Sequence, residues 1–292
     1  MNNLLKICFL LFILPLSFSY AQAKKQINID DIVPWCVVSF DALERQPQER
    51  ISMLKDLGFS KYGYNWREEH LDYIQEEFVL AKENNMDIEA IFLWLNAKRD
   101  SIGKLSPLNK SLLTKLEGVD NKPDIWLSFS PNYFENLSQE EAINRAIKYI
   151  RFIKDKADAL GVGLALYNHS GWFGNTDNQV DIINRLPDFN LKIVYNFHHA
   201  QEDLDDYTRV FKNIKPYLTC VNLNGLRKDG PKILTIGEGD YEYPMIKSLF
   251  DLGYDGPWGV LGHIKTEDVE QVLKRNMAGI QMINQRLLQE ED

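Results

Sequence analysis

The chain has only five histidines, and imidazole is the side chain best suited to take and return a proton near neutral pH. His70 stands in NWREEH, His169 in YNHSGWFG, His198 and His199 in NFHHA, and His263 in VLGHI. Each follows an apolar run. Polar groups gather at the same places: Asp41 after the first run, Arg67 and Glu69 beside His70, Asn168 beside His169, and Asn196 before His198. Asn222 and Asn224 lie in CVNLNG, and Glu238 and Asp240 in GEGD. An amide in an apolar run is costly unless paired. These asparagines therefore point either to sugar hydroxyls or to a network that pins the structure. Trp66, Trp172 and Phe173 add aromatic faces suited to a sugar ring, whereas Trp94 reads as core packing.

This set suits proton abstraction next to a carbonyl, leading to isomerisation, epimerisation or elimination, the chemistry of an isomerase, epimerase or lyase. His199 or His169 is the expected base, and Glu238 is a second acid–base group. Arg67, Asn196 and Asn222 would steady an enolate oxygen. Trp66, His70, Asn168, Trp172, His198, Asn224 and His263 complete the expected substrate contacts. No G-x-S-x-G, P-loop, H-E-x-x-H or paired C-x-x-C occurs, and GEGD is not a dinucleotide fingerprint.

The elements that must position these residues alternate in type. Strand-like runs are expected at 33–40, 59–66, 88–95, 124–130, 163–168, 191–196, 218–223 and 258–261. Helical patterns fall between them, at 44–57, 71–85, 107–116, 138–160, 177–186, 203–214 and 243–252, with the last at 266–288. The clearest opens at Ser138 with Glu141 as a capping box and stops at Gly161. Eight strand–helix units predict a single-domain (β/α)8 barrel, whose strands are apolar on both faces. A doubly wound open sheet is the alternative, but DALERQPQ after the first run has no glycine for a phosphate turn. In a barrel, all five histidines come to the C-terminal rim, where such folds do chemistry.

The first residues read as an export signal. Lys6 precedes a run of apolar residues, 7–18, and Ala21-Gln22-Ala23 offers a cleavage site. Domain 24–292 would remain, periplasmic or secreted and with no stable membrane insertion. Cleavage would remove Cys8 and leave Cys36 and Cys220, both in strand-like runs and read as buried free thiols. The 45% hydrophobic and 26% charged fractions exclude disordered and multi-span membrane classes. A net charge of −9 argues against nucleic acid or anionic lipid as a partner.

The segments ALYNHSGW, YNFHHA, VNLNG, GEGDY and GYDGPWGVLGH resemble the xylose isomerase-like TIM barrels, the sugar phosphate isomerase/epimerase-like family related to type II AP endonucleases. The resemblance runs from about 161 to 283. It implies a sugar isomerase or epimerase on this fold, with a divalent metal held by Glu, Asp, His and Glu after strands five to eight. This chain departs at each matching position. Tyr167 stands for the first Glu, Asn196 for the Asp and Asn222 for the His, and the last Glu falls near Leu261 or Gly262. Neutral amides and a phenol are poor ligands for Mg or Mn. The ordinary metal site is therefore expected to be missing, and no definite cofactor is assigned. A rebuilt site from His169, His199, His263 and Glu238, suited to Zn, stays open. Two functions follow: an exported enzyme acting on an unphosphorylated sugar, keto-sugar or glycoside, or a non-catalytic carbohydrate-binding barrel. A nuclease is disfavoured.

Overall fold

The computed structural model describes residues 25–290, and the expected signal segment 1–23 lies outside them. Eight strands run β1 Ile32–Trp35, β2 Lys61–Tyr64, β3 Asp87–Leu95, β4 Asp124–Phe129, β5 Leu164–Tyr167, β6 Lys192–Asn196, β7 Leu218–Leu223 and β8 Trp258–Leu261. Nine helices lie among the described residues: α1 Pro47–Asp56, α2 Ile74–Glu83, α3 Pro107–Glu117, α4 Gln139–Leu160, α5 Gly171–Gly174, α6 Thr176–Asn184, α7 Tyr207–Ile214, α8 Glu242–Asp251 and α9 Val269–Gln289. All ladders are parallel, in the order β1-β8-β7-β6-β5-β4-β3-β2. The ends of that order lie side by side, so the sheet curls into a (β/α)8 barrel. No helix among the described residues is long and apolar enough to cross a membrane.

Period-two alternation sorts each strand between two cores. In β5, Leu164 and Leu166 join the layer under the helices, while Ala165 and Tyr167 enter the bore. In β4, Ile125, Leu127 and Phe129 face the helices and Trp126 faces the bore. The bore is filled by aromatic rings. Trp35 and Trp126 lie 4.4 Å apart between centroids, Phe92 and Tyr167 5.5 Å, and Trp126 stacks on Tyr167 at 6.0 Å. Ala90, Ala165 and Gly63 are small residues that make room for them, while Gly259 leaves space for Asn222. Cys36 and Cys220 are free and buried in the same core, as expected.

The seam between β1 and β2 has no ladder and is closed by side chains. Asn65 Oδ1 accepts from Val38 N at 3.2 Å, and its Nδ2 donates to Ser39 Oγ at 2.8 Å. Beneath it, Arg50 on α1 makes a two-pronged pair with Glu77 on α2, which also accepts from Tyr62 on β2. All three are buried, so the ion pair is well screened from water and fixes one geometry.

The helix signals worked as local chemistry predicts. Ser138 accepts from Glu141 N, Glu141 accepts from Ser138 N, and Gly161 ends α4 with φ 71°. Two strands are shorter than their apolar runs. β1 stops at Trp35 because Cys36 turns left-handed (φ 60°), and Val37–Phe40 cover the mouth as a buried loop. β2 stops at Tyr64, and 68–73 form a 3-10 turn ahead of α2.

Gly63 packs flat against the Trp35 indole, and a Cβ there would collide with the ring. Gly63→Ala is expected to cost about 1–3 kcal/mol by overpacking the bore, read as a lower urea midpoint. An unchanged midpoint would mean the indole does not fill that space.

Candidate active site

Two connected cavities open at the C-terminal end of the barrel. The inner one, a pit of about 80 Å³, lies on Trp35, Phe92 and Tyr167 and is walled by Arg67, Asn196, His169, His198, His199 and His263. The outer one, a cleft of about 530 Å³, lies over β3 and shares Arg67, Phe92 and His169 with the pit. The cleft has the volume of an ordinary small-molecule site. Trp66, Phe92 and Trp94 give it aromatic walls, and Asn96, Asn109, Arg99 and Lys265 give it polar ones.

Four of the five histidines meet here. His169 follows β5 and lies 4.4 Å from His199 between ring centroids. His199 lies 4.5 Å from His198, and His198 5.1 Å from His263. His198 and His199 sit on a 3-10 turn, 197–199, which Asn196 caps by accepting from His198 N at 2.9 Å. His198 Nδ1 meets the Lys232 carbonyl at 3.4 Å, so that nitrogen carries the proton. His263 packs edge-on to Phe40, and its Nδ1 is buried with no partner among the described residues.

Burial holds these imidazoles neutral, with their neighbours adding to it. His199 is pushed down to about 2 by burial and then by His169, His198 and His263. His169 is lowered to about 4 by burial, His198 and Arg67, and His263 to about 4 by burial, His198, Arg67 and His169. Burial also lowers His198.

The positions that match the family's metal ligands face the same bore. Tyr167 OH receives Asn196 Nδ2, and also Trp35 Nε1 at 3.3 Å. Asn222 pairs in register with Asn196 and lies over Gly259. Its Nδ2 approaches the same phenol without making a hydrogen bond of normal geometry. Burial pushes the Tyr167 phenol well up, so it stays protonated. Among the described residues no three His, Cys, Asp or Glu side chains converge as ligands. A phenol and an amide where the resemblance implies carboxylates, and a second amide where it implies a His, do not fit a divalent ion.

Several expected site residues stand elsewhere. Glu238 is exposed on the loop before α8 and lines none of the cavities at the mouth, so it joins neither the base nor a rebuilt metal site. GEGD instead wraps Glu242, whose buried carboxylate accepts from Leu226 N, Gly237 N and Gly239 N at 2.7–2.9 Å. His70 caps its own turn by accepting from Arg67 N and faces a separate groove near Asp41 and Arg45. Trp172 stacks near Phe134 and donates to Gln139, away from both cavities, and Phe173 is core. Asn168 is spent on Asn196, bonding its backbone N–H and carbonyl. Asn224 braces the β7 loop through the Gly225 and Lys232 carbonyls. Trp94, expected in the core, instead lines the cleft and meets His169 edge-on at 4.6 Å.

Sequence reasoning missed Phe92, Asn96, Arg99, Asn109 and Lys265. The aromatic alternation of Phe92 and Trp94 in IEAIFLWL was the available signal. Asp100 was missed as the organiser of the β3 loop, where it accepts from Asn96 N, Ser106 N and Asn109 Nδ2.

A family model for the xylose isomerase-like TIM barrel matches residues 121–281. No curated protein sequence matches the chain. Among solved structures, L-ribulose 3-epimerase is similar with TM-score 0.67 and 15% identity, covering 89% of this chain and 96% of that one. The apo form of 3-keto-D-glucoside 4-epimerase YcjR from E. coli has TM-score 0.63 and 15% identity, covering 87% and 99%. The IOLI protein with a binding zinc atom has TM-score 0.65 and 10% identity, covering 88% and 98%. At these identities the likeness is one of fold.

The depressed histidines carry a pH signature. Their folded pKa values lie below the unfolded value of about 6.5. Below that pH the unfolded chain binds more protons, so these groups make stability fall as pH drops from about 6.5 towards 4. The urea midpoint of His199→Gln is expected to decline less over that interval than the parent's. Parallel declines would mean that His199 is not held neutral by the fold.

Proposed function

Because the chain belongs to the xylose isomerase-like TIM barrel family, we propose that it is an exported sugar isomerase- or epimerase-like enzyme. It removes a proton next to a carbonyl of an unphosphorylated sugar, keto-sugar or glycoside. One observation carries the reading: His169 lines both the sugar-sized cleft and the histidine pit. A ring held on Trp66 and Trp94 would bring a carbon to that imidazole. The apolar run before Ala23 supports export, and free sugar phosphates are scarce outside the cytoplasm.

A neutral imidazole is an acceptor, but one lowered to about 4 is a weak base on its own. The reaction supplies the correction. As the proton leaves, negative charge grows on the substrate oxygen. Arg67 stabilises that oxygen, and the new anion raises the proton affinity of the histidines around it. His199, at 4.4 Å, is placed to share the proton with His169.

A second reading, a carbohydrate-binding barrel without turnover, is favoured by the same low proton affinity and by the loss of the carboxylates at Tyr167 and Asn196. Incubation with a 3-keto-glycoside and simple aldoses in D2O separates the two. The enzyme is expected to wash deuterium into the carbon next to the carbonyl, and His169→Ala to slow this by about 10²–10⁴-fold. Binding without exchange for any of these sugars would leave only the second reading.

A further inference from the structure

No aspartate or glutamate lines the pit. Its one charged wall is Arg67, which is half-buried and forms no ion pair among the described residues. One prong donates to the Trp66 carbonyl at 2.8 Å, and the guanidinium lies over the Phe40 ring at 5.4 Å. Most of its N–H groups are left unspent. The contrast with the neighbouring arginines is sharp. Arg45 meets Asp41, Asp268 and Glu270, and Arg50 meets Glu77. Lys265 approaches the same Phe40 ring at 5.7 Å, and it too has no ion-pair partner among the described residues. A half-buried guanidinium with unspent N–H groups and no ion-pair partner among the described residues is open to an anion.

We propose that the pit is a carboxylate-binding site, and that the sugar this barrel takes is a sugar acid seated with its carboxylate against Arg67. The inference rests on the carbohydrate reading above and names its substrate class. Size agrees, since about 80 Å³ holds a carboxylate but not a pyranose ring. Shape agrees, since a planar carboxylate matches the guanidinium fork in a way a hydroxyl cannot. Charge also sets the direction. Glu68 and Glu69 line the cleft but not the pit, so the acid end is turned inward and the hydroxylated ring outward. The carbon beside the carboxylate then lies at the mouth, next to His169. Where relatives hold a cation with carboxylates, this chain would hold a carboxylate with a cation.

Calorimetry on the mature chain with D-glucuronate, D-glucose and D-glucose 6-phosphate tests this. Glucuronate is expected to bind at least about tenfold more tightly than glucose. In R67Q, shown to be folded by its thermal melt, glucuronate and glucose should bind alike. R67K should restore part of the preference, and K212Q, on the far side of the barrel, should keep all of it. Equal affinity for glucuronate and glucose in the parent would overturn the carboxylate site and leave the sugar reading standing. Tighter binding of the 6-phosphate than of glucuronate would also overturn it. Binding of none of the three would overturn the carboxylate site, while the sugar reading is judged separately by the exchange experiment with a 3-keto-glycoside.

Discussion

The structure turns on what fills the bore. Trp35, Phe92, Trp126 and Tyr167 pack ring on ring across the barrel, against alanines and a glycine on the facing strands. Aromatic rings bury large areas and prefer these tilted and edge-on contacts. The plug does three things at once. It closes the barrel at a seam that has no ladder, because Trp35 lies on Gly63 across it. It forms the floor of the pit. And through Tyr167 it fills the position where the family resemblance would place a ligand carboxylate, so one residue serves both packing and the polarity of the site.

From that floor the polarity of the mouth follows. Tyr167 needs partners for its hydroxyl, and Asn196 and Trp35 supply them. Asn196 in turn caps the turn that carries His198 and His199. A hydrogen-bond chain thus runs from the hydrophobic core to the histidines and fixes their spacing. Crowded, largely buried imidazoles cannot all take protons, and Arg67 adds to that pressure on His169 and His263. The pit therefore keeps its imidazoles neutral, with Arg67 as its one charged wall and no aspartate or glutamate in its lining.

Much of this was legible in the residues. Strands 218–223 and 258–261 and the Ser138 cap read directly, because alternation and capping are local. The rim position of the histidines followed from the fold. Four features were not legible, because each is set by contacts that only the fold makes. Val37, Val38 and Phe40 look like a strand, but they are apolar because the loop after Cys36 buries the valines in the outer core and Phe40 in the wall of the pit. His70 is indistinguishable from a site residue until its bond to Arg67 N is seen. Glu238 and Glu242 sit in one acidic stretch, and only the folded loop reveals that Glu242 goes inward and Glu238 outward. The cleft over β3 was missed because its walls come from a long loop organised by Asp100, whose partners lie up to nine residues away.

The Glu242 clamp has a consequence for how this scaffold can change over time. Three N–H groups of the β7 loop converge on one carboxylate, and Asn276 bonds both Ile236 N and the Leu261 carbonyl. Drift in that quarter of the mouth would strand buried donors, so it is held to one conformation. The opposite quarter carries exposed Glu68, Glu69 and Arg99, whose side chains no such lattice restrains. Substitutions of those exposed side chains would alter what the cleft touches without stranding a buried donor, while the tethered side stays a fixed jaw.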